Sequence, residues 1–375
     1  MSLGGQLKQG LNGLRKTTIN HDASAPKLGD QFAETEASFR TYQSTVMDIN
    51  LEEWIDLIPE HTFPSKMMEI SPDDADIFVK SYLEFEAHMD RATVQGERRG
   101  MRQAACSFVP SAEVQERTRG LEGRLQKVID EVKDGDPTAS VFIKTSCRSP
   151  KDAPTSQGKL RDVYSAMVSA DPDQSENARI AHLLRAGLEV MRVREANDAL
   201  GLLTKSRRIW QDMTLALEHK DRWNQHIIVR KWQDIDVDME FRCFVSGGQM
   251  TAISQYNHLC FFPHLVEKQE SIKQLLLRFF NEELRDKLSH KFENYVVDLA
   301  IVKCDSQQQR VMVIELNPFL ETTDSACFNW VSNRALLEGK GGQRGEHTCE
   351  MRVTEHCMLG AKSLMEETWR SLMEE

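Results

Sequence analysis

A carboxylate and a carboxamide stand two residues apart at the end of an apolar run that is typical of a buried β-strand. The run is RVMVIELNP, and it places Glu315 and Asn317 directly before Pro318. Side chains alternate across a strand, so the sequence predicts that both polar groups share one face with Val311 and Val313. Proline cannot continue the hydrogen-bonded ladder. We therefore expect two oxygen donors side by side at the end of a strand.

A second carboxylate, Asp298, lies inside the apolar run YVVDLAIV. An ionised carboxylate among apolar neighbours is costly unless a cation, a metal or hydrogen-bond donors compensate it. One alternative is therefore a structural pairing of Asp298 with a core arginine or a backbone N–H. The other is that this strand lies next to RVMVIELNP. In that case Asp298, Glu315 and Asn317 would supply the hard oxygen ligands that Mg2+ prefers when it also holds phosphates.

Three further segments place charged side chains on predicted strands. In MEFRCFV, Glu240 and Arg242 share one face, which either lines a pocket or is a solvated sheet face. In IIVRKW, Arg230 and Lys231 point to opposite faces, so only one of them can face a pocket. Lys144 follows the apolar VFI and is either a flexible cation for a phosphate or an ordinary strand-end lysine.

No glycine-rich phosphate loop accompanies these residues, so a bound nucleotide would be held by side chains from strands. No Ser/His/Asp or Cys/His arrangement for nucleophilic catalysis can be recognised either. The cysteines occur singly, without metal-ligand spacing, and are expected to be reduced thiols that mostly fill the core. They are Cys106, Cys147, Cys243, Cys260, Cys304, Cys327, Cys349 and Cys357.

Length and charge limit the classes of protein that fit. The chain has 375 residues, enough for about two to three domains by the usual length prior. Its 58 acidic and 47 basic residues give a net charge of -11, which argues against nucleic acid as the primary partner. There is neither a secretory signal pattern nor an apolar segment long enough to span a bilayer. We therefore expect no membrane association and a cytosolic location.

The hydrophobic pattern predicts a mixed α+β protein. Residues 1–45 are polar and aperiodic, and are predicted to be a flexible tail. Residues 46–225 are predicted to form an N-terminal α+β subdomain with a helical insertion, in which a helix covers 73–86 and 88–120 is a loop or insertion. Residues 226–375 are predicted to form a second subdomain, with a hairpin around SGGQ, two neighbouring strands and a closing helix.

Several motifs together resemble one known family. The specific ones are RKW at 230–232, MEFRCFV at 239–245, AISQYNH at 252–258, the VVDLAIV strand and IELNPFLETTDSACFNW. Weaker matches are HTFPSKMMEIS and VFIKTSCRSPKDA. With these motifs the chain resembles the cell division cycle protein 123 family, a branch of the ATP-grasp fold, over residues 52–335.

The resemblance implies an ATP-grasp-like fold in which two subdomains with mixed or antiparallel sheets enclose ATP and Mg2+. It implies that Lys144 contacts the phosphates, that residues 230–232 form the hinge beside adenine, and that Arg242 reaches a phosphate. The implied cofactor-binding set is Lys144, Arg230, Lys231, Trp232, Glu240, Arg242 and Asp298, and the implied metal ligands are Asp298, Glu315 and Asn317.

Two departures from the family pattern affect these assignments. The family usually has aspartate where Glu315 stands. The longer glutamate side chain should still coordinate the metal, but with altered geometry. After Lys144 the family's LNWS is replaced by TSCR, which removes an aromatic contact.

The resemblance also implies a function as an assembly chaperone of eukaryotic translation initiation factor 2, through its gamma subunit. An alternative is an ATP-dependent carboxylate–amine ligase that acts through an acyl phosphate, in which the metal and Arg242 would stabilise the transferring phosphoryl group. A third is a binding module whose ATP site has decayed. The presence of Lys144, Asp298, Glu315 and Asn317 argues against decay, whereas nothing in the sequence separates the first two.

Overall fold

Two β-sheets with their associated helices organise the chain. The computed structural model describes residues 45–94, 105, 107–156, 158–303, 309–340 and 348–374. The predicted flexible tail, apart from residue 45, lies outside the described residues, as do Cys106 and Cys304.

The helices and strands of the described residues have the following bounds. The α-helices are α1 Pro72–Val94, α2 Ala112–Lys133, α3 Gly158–Ala170, α4 Glu176–Val190, α5 Ala196–Leu203, α6 Arg207–Glu218, α7 Pro263–Glu267, α8 Gln269–Phe279, α9 Arg285–Ser289, α10 Arg334–Leu337 and α11 Glu367–Glu374, with a π-helical turn Phe280–Leu284 between α8 and α9. The strands are β1 Ser65–Glu69, β2 Val141–Thr145, β3 His226–Lys231, β4 Glu240–Ser246, β5 Gln249–Gln255, β6 Tyr295–Lys303, β7 Gln309–Pro318 and β8 Glu350–Arg352.

The chain divides into two compact units, each built on one sheet. The three-strand unit contains residues 64–174 and 182–232, and the five-strand unit contains the described parts of 1–63, 175–181 and 233–374. The division falls after residue 232, later than the predicted boundary at 225, because β3 pairs with β1 and β2 and therefore stays with the earlier part of the chain. Residues 46–63, which the sequence places in the N-terminal subdomain, group with the five-strand unit.

The sheet of the three-strand unit is antiparallel, with strand order β1-β3-β2. The central strand carries Ile227, Ile228 and Val229 in succession, and all three are fully buried. A strand covered on both faces is expected to be apolar throughout rather than alternating. Helix α2 packs on β1 and β3, and α1 packs on α6. Apolar burial on both sides thus fixes β3 as the centre of this unit.

The sheet of the five-strand unit has the order β7-β6-β4-β5-β8, and every pairing except the parallel β5–β8 pair is antiparallel. The predicted hairpin is confirmed: β4 and β5 are joined by Gly247 and Gly248, whose φ angles are 58° and 67°. Positive φ at both central positions suits a two-residue hairpin turn and costs glycine no steric strain. The predicted pairing of β6 with β7 is also confirmed.

Helix lengths were predicted less well. Helix α1 runs to Val94 and α2 begins at Ala112, so both ends of the segment predicted as a loop or insertion are helical. The signal for α2 is its N-cap, since the hydroxyl of Ser111 accepts a hydrogen bond from the amide of Val114. The predicted closing helix is shorter than expected: only Glu367–Glu374 is α-helical, because Gly360, at a φ of 74°, and the extended Met365 bound a short 3-10 helix, Ala361–Leu364, before it.

The described cysteines agree with the prediction of reduced thiols. All six are free, but only Cys243 and Cys260 are buried, whereas Cys147, Cys327 and Cys349 are half-buried and Cys357 is exposed, so the prediction that they mostly fill the core was wrong. Burial raises the pKa of Cys147, Cys260 and Cys349 to about 12 in each case, so these thiols stay protonated at neutral pH. Among the helices that the structure describes, none is both long enough and apolar enough to cross a bilayer.

Candidate functional site

A one-residue irregularity in the β6–β7 pair determines which way Glu315 and Asn317 point. Asp298 lies opposite Glu315, but the next residue of β6, Leu299, lies opposite Val313, so that Ile314 is an extra residue in β7. Such a β-bulge interrupts the alternation of the strand that contains it. The predicted face is therefore wrong for Val311 and Val313, which share the face of Leu299. Glu315 and Asn317 instead share the face of Asp298.

We call this side of the sheet the Asp298 face. On it, the register aligns one polar row across all five strands, from Arg352 through Ser254, Arg242 and Asp298 to Glu315. The register of the two strands thus confirms the prediction that β6 and β7 bring their polar groups together on one face. The alignment places a cation, Arg242, directly beside the buried carboxylate.

Asp298 and Arg242 form a buried, bidentate ion pair. Nε and Nη2 of Arg242 donate hydrogen bonds of 2.8 and 2.7 Å to the two carboxylate oxygens of Asp298. Asp298 is 0% exposed and Arg242 is 6% exposed. Burial by itself would lower the pKa of Arg242, but the charge of Asp298 outweighs it and raises that pKa well above its ordinary value. The sequence left open whether a core arginine pairs with Asp298, and the structure shows that Arg242 does so.

Arg242 also contacts groups outside the ion pair. Its Nη1 donates a 2.8 Å hydrogen bond to the backbone oxygen of Asp324, and its guanidinium carbon lies 4.8 Å from the ring centroid of Tyr256. A cation over an aromatic face is attracted by the ring quadrupole. Arg242 thus links β6 to the loop that follows β7, in addition to balancing the charge of Asp298.

That loop covers one end of the Asp298 face with aromatic side chains. The backbone amide of Cys327 donates to the hydroxyl of Ser254, and the indole N–H of Trp330 donates to the backbone oxygen of Thr323. These contacts hold an apolar cluster against the sheet. Its buried members are Phe244, Ala252, Val296, Phe328, Trp330 and Leu337.

The remaining predicted cofactor residues lie in both units. Glu240 is buried on the Asp298 face. It lies two residues before Arg242 in β4, so the two side chains share that face. In the three-strand unit, Lys144 and Arg230 are buried and lie on the same face of the sheet, since Lys144 is opposite Ile228 and Phe142 is opposite Arg230. Lys231 points to the other face and is exposed.

Trp232 follows β3 and is held through its backbone and its ring. Its amide donates to the backbone oxygen of Ser140, and the guanidinium carbon of Arg192 lies 5.7 Å from the centroid of its ring. Arg230 donates a 3.2 Å hydrogen bond to the hydroxyl of Ser65. The structure therefore groups Lys144 and Arg230 on one sheet face, and groups Arg242, Asp298, Glu315 and Asn317 on another.

The donor set on the Asp298 face fits a hard divalent cation. A carboxylate has about four lone-pair positions, and those of Asp298 accept two hydrogen bonds from Arg242 and a third, of 3.0 Å, from Nδ2 of Asn317. Because the amide nitrogen of Asn317 donates to Asp298, the side-chain oxygen of Asn317 points away from that carboxylate. Glu315 and Asn317 are half-buried. They are therefore the more suitable ligands, and Asp298 could bind a metal only alongside its arginine.

Sequence reasoning missed the residues that hold this arrangement together. Tyr256 and Ser254 lie within the matched motif at 252–258, and Asp324 lies within the motif after β7, but no chemistry was assigned to them. Arg352 was missed because its strand, β8, has only three residues. It stacks over Phe328, at 4.4 Å from the ring centroid. Alternation in β5 could have suggested Ser254, whereas the parallel β5–β8 pairing leaves no sequence signal.

Known proteins similar to this chain include several of one family. The D123 family model matches residues 181–371. Over 119 residues, 31% of each chain, the sequence is 37% identical to the translation initiation factor eIF2 assembly protein of Danio rerio. Over 186 residues it is 26% identical to the protein of that name from Vanderwaltozyma polyspora, covering 48% of this chain and 49% of the relative. The alignments thus span about a third to a half of these relatives.

Solved structures show the same fold over a longer stretch. C-terminally truncated Cdc123 from Schizosaccharomyces pombe matches with a TM-score of 0.53 and 18% sequence identity, covering 83% of this chain and 97% of that one. Cdc123 from the same organism matches with a TM-score of 0.50 and 17% identity over the same shares. The α+β, ATP-grasp-like fold class predicted from the sequence is therefore confirmed. With the family model matching half of its length, this chain belongs to the D123 family, the family of cell division cycle protein 123.

Proposed function

We propose that this chain binds ATP with Mg2+ and acts as an assembly chaperone of translation initiation factor eIF2, through the gamma subunit. The chaperone part is supported by the names of the curated relatives, which are called eIF2 assembly proteins. The nucleotide part is supported by one observation above all. A β-bulge turns Glu315 and Asn317 onto the face of the buried Asp298, which gives three oxygen-bearing side chains at neighbouring positions.

Each residue of the Asp298 face has a distinct part in this proposal. Glu315 and Asn317 would bind the cation, which would in turn screen the charge of the phosphates. Arg242 holds the carboxylate of Asp298 in place through two hydrogen bonds and anchors the loop at Asp324. Because Arg242 is buried and engaged in these contacts, we assign it a positioning role in the proposal rather than a direct phosphate contact. Lys144 remains a predicted phosphate contact, and Arg230 remains part of the predicted hinge beside adenine.

Mg-ATP is expected to raise the thermal unfolding temperature of the protein. A ligand that binds only the native state adds RT ln(1 + [L]/Kd), which is about 2.7 kcal/mol at a hundredfold excess over Kd. The measurement is a calorimetric scan with Mg-ATP, with Mg2+ alone and with ATP plus EDTA. The largest shift should come from the complete pair. An unchanged unfolding temperature at millimolar Mg-ATP would contradict nucleotide binding.

The isolated gamma subunit of eIF2 is expected to form a stable complex with the protein, without turnover of ATP. The measurement is a pull-down with purified gamma subunit, with the alpha subunit as the control, and phosphate release is followed in the same mixture. Failure to retain the gamma subunit at micromolar concentrations would contradict the chaperone proposal. Phosphate release that depends on added amino acids or peptides would favour the ATP-dependent ligase instead.

A further inference from the structure

The bulge that directs the proposed metal ligands is held from the outer edge of β7. The hydroxyl of Thr62 donates a 2.8 Å hydrogen bond to the backbone oxygen of Val313, the residue directly before the extra residue Ile314. Thr62 also forms an isolated parallel β-bridge with Val313 and is 3% exposed. A bulge disrupts the local ladder, so a backbone group beside it needs a partner from elsewhere. Thr62 supplies that partner.

The residues around Thr62 fix its position against β7. We call residues 60–63 the β7 clamp. The guanidinium of Arg310, on β7, donates to the backbone oxygen of Glu60. Phe63 packs in a buried cluster with Met312 of the same strand. The cluster also contains Ala300 and Val302 of β6. The clamp therefore contacts β7 at three successive points on the N-terminal side of the bulge.

The position of the bulge has a direct consequence for the charged face. If the register between Leu299 and Val313 simply continued, Glu315 would lie opposite Val297, whose side chain is on the other face of the sheet. A shift of one residue reverses the direction of every side chain that follows. Glu315 and Asn317 therefore reach Asp298 only because the chain takes up one extra residue at Ile314.

We propose that Thr62 is a positioning residue for metal binding: by fixing the backbone oxygen of Val313, it sets the bulge that presents Glu315 and Asn317 to Mg2+. This inference rests on the proposed function, because it assumes that these two side chains bind the metal of Mg-ATP. Thr62 needs no contact with the ligand to act in this way. It also gives a role to the motif HTFPSKMMEIS, to which no chemistry had been assigned.

A purely structural role for Thr62 makes a different prediction. Loss of the hydroxyl would then lower stability through the unpaired backbone oxygen of Val313 and would leave ligand binding by the folded fraction unchanged. A positioning role instead predicts a selective loss of the gain in ATP affinity that Mg2+ provides. The ratio of ATP affinities with and without Mg2+ therefore separates the two roles, whatever the change in stability.

The experiment compares Thr62→Val, which keeps the shape and removes the donor, with Thr62→Ser, which keeps the donor. The matched control is Val302→Ala, which removes apolar volume from the cluster around Phe63 and leaves the bulge backbone intact. ATP affinity is measured by titration calorimetry with Mg2+ and with EDTA. We expect Thr62→Val to reduce the Mg2+-dependent gain by about tenfold or more, as expected for residues that orient metal ligands, and both other variants to retain it.

A second readout needs no ligand. In hydrogen exchange of the free protein, the peptide covering 311–317 should exchange faster in Thr62→Val than in Thr62→Ser, while peptides from β5 stay unchanged. If Thr62→Val does not fold, Thr62→Ala serves in both measurements.

A Thr62→Val variant with the wild-type Mg2+-dependent gain would overturn the role of Thr62 while leaving the proposed function standing. A wild-type protein that gains no ATP affinity from Mg2+ would overturn both the role of Thr62 and the nucleotide part of the proposed function.

Discussion

Replacement of Asp298 by alanine is expected to lower the free energy of unfolding by about 3–5 kcal/mol, the usual cost of removing one partner from a buried ion pair. Arg242 would lose two hydrogen bonds of 2.7–2.8 Å and remain 6% exposed without its bidentate partner. Burial lowers the pKa of Arg242, and Asp298 is the main influence that raises it well above the ordinary value, with a smaller contribution from Asp324, so the variant leaves a poorly balanced charge in the core. Urea unfolding measures the loss.

The matched control is an ion pair of the same unit at the surface. Lys303 and Asp236 are 2.9 Å apart with largely exposed side chains, so Asp236→Ala should cost at most about 1 kcal/mol. The double variant Arg242→Met/Asp298→Leu should be more stable than Asp298→Ala, because no unpaired charge is left in the core. A cost below about 1 kcal/mol for Asp298→Ala would show that another group balances Arg242, and would remove the basis for its positioning role.

The sequence allowed most strands of the candidate site to be predicted, since strand periodicity and turn residues are local signals. The hairpin with Gly247 and Gly248 and the buried strand around Asp298 follow from alternation and from backbone conformations that glycine favours. The pairing of Arg242 with Asp298 could not be predicted in the same way, because it depends on β4 lying beside β6. Strand order is a non-local property. From the sequence alone, pairing of Asp298 with a core arginine was one of two alternatives, and the arginine could not be named.

The bulge at Ile314 shows a second limit of local reasoning. Alternation over RVMVIELNP predicts one face for Val313, Glu315 and Asn317, and one extra residue in the ladder separates them. Nothing in the residue types marks Ile314 as the extra residue, since no glycine occurs there. The residue before it, Val313, accepts a hydrogen bond from Thr62, which lies 251 residues earlier in the chain and is invisible to a local pattern. The prediction that Glu315 and Asn317 share a face was thus right, although its reasoning about Val313 was wrong.

Replacement of Glu315 by glutamine is expected to weaken ATP binding only when Mg2+ is present. Glutamine keeps the length of the side chain and removes the charge that a hard cation requires. Asn317→Ala should have the same Mg2+-dependent effect, and it should also cost about 1 kcal/mol of stability through the lost hydrogen bond to Asp298. Titration calorimetry with ATP in Mg2+ and in EDTA measures the binding of each variant, and urea unfolding measures its stability.

Two further variants make the expected result specific to metal binding. Glu315→Asp keeps a carboxylate on the shorter side chain that the family resemblance implies at this position, and should retain most of the Mg2+-dependent gain. Val311→Ala removes a buried side chain on the opposite face of the same strand, and should destabilise by about 1–3 kcal/mol while leaving the gain unchanged. If Glu315→Gln bound Mg-ATP as tightly as the wild type, the metal assignment would be wrong. If it lost ATP affinity equally in EDTA, Glu315 would act on the nucleotide or the fold rather than through the metal.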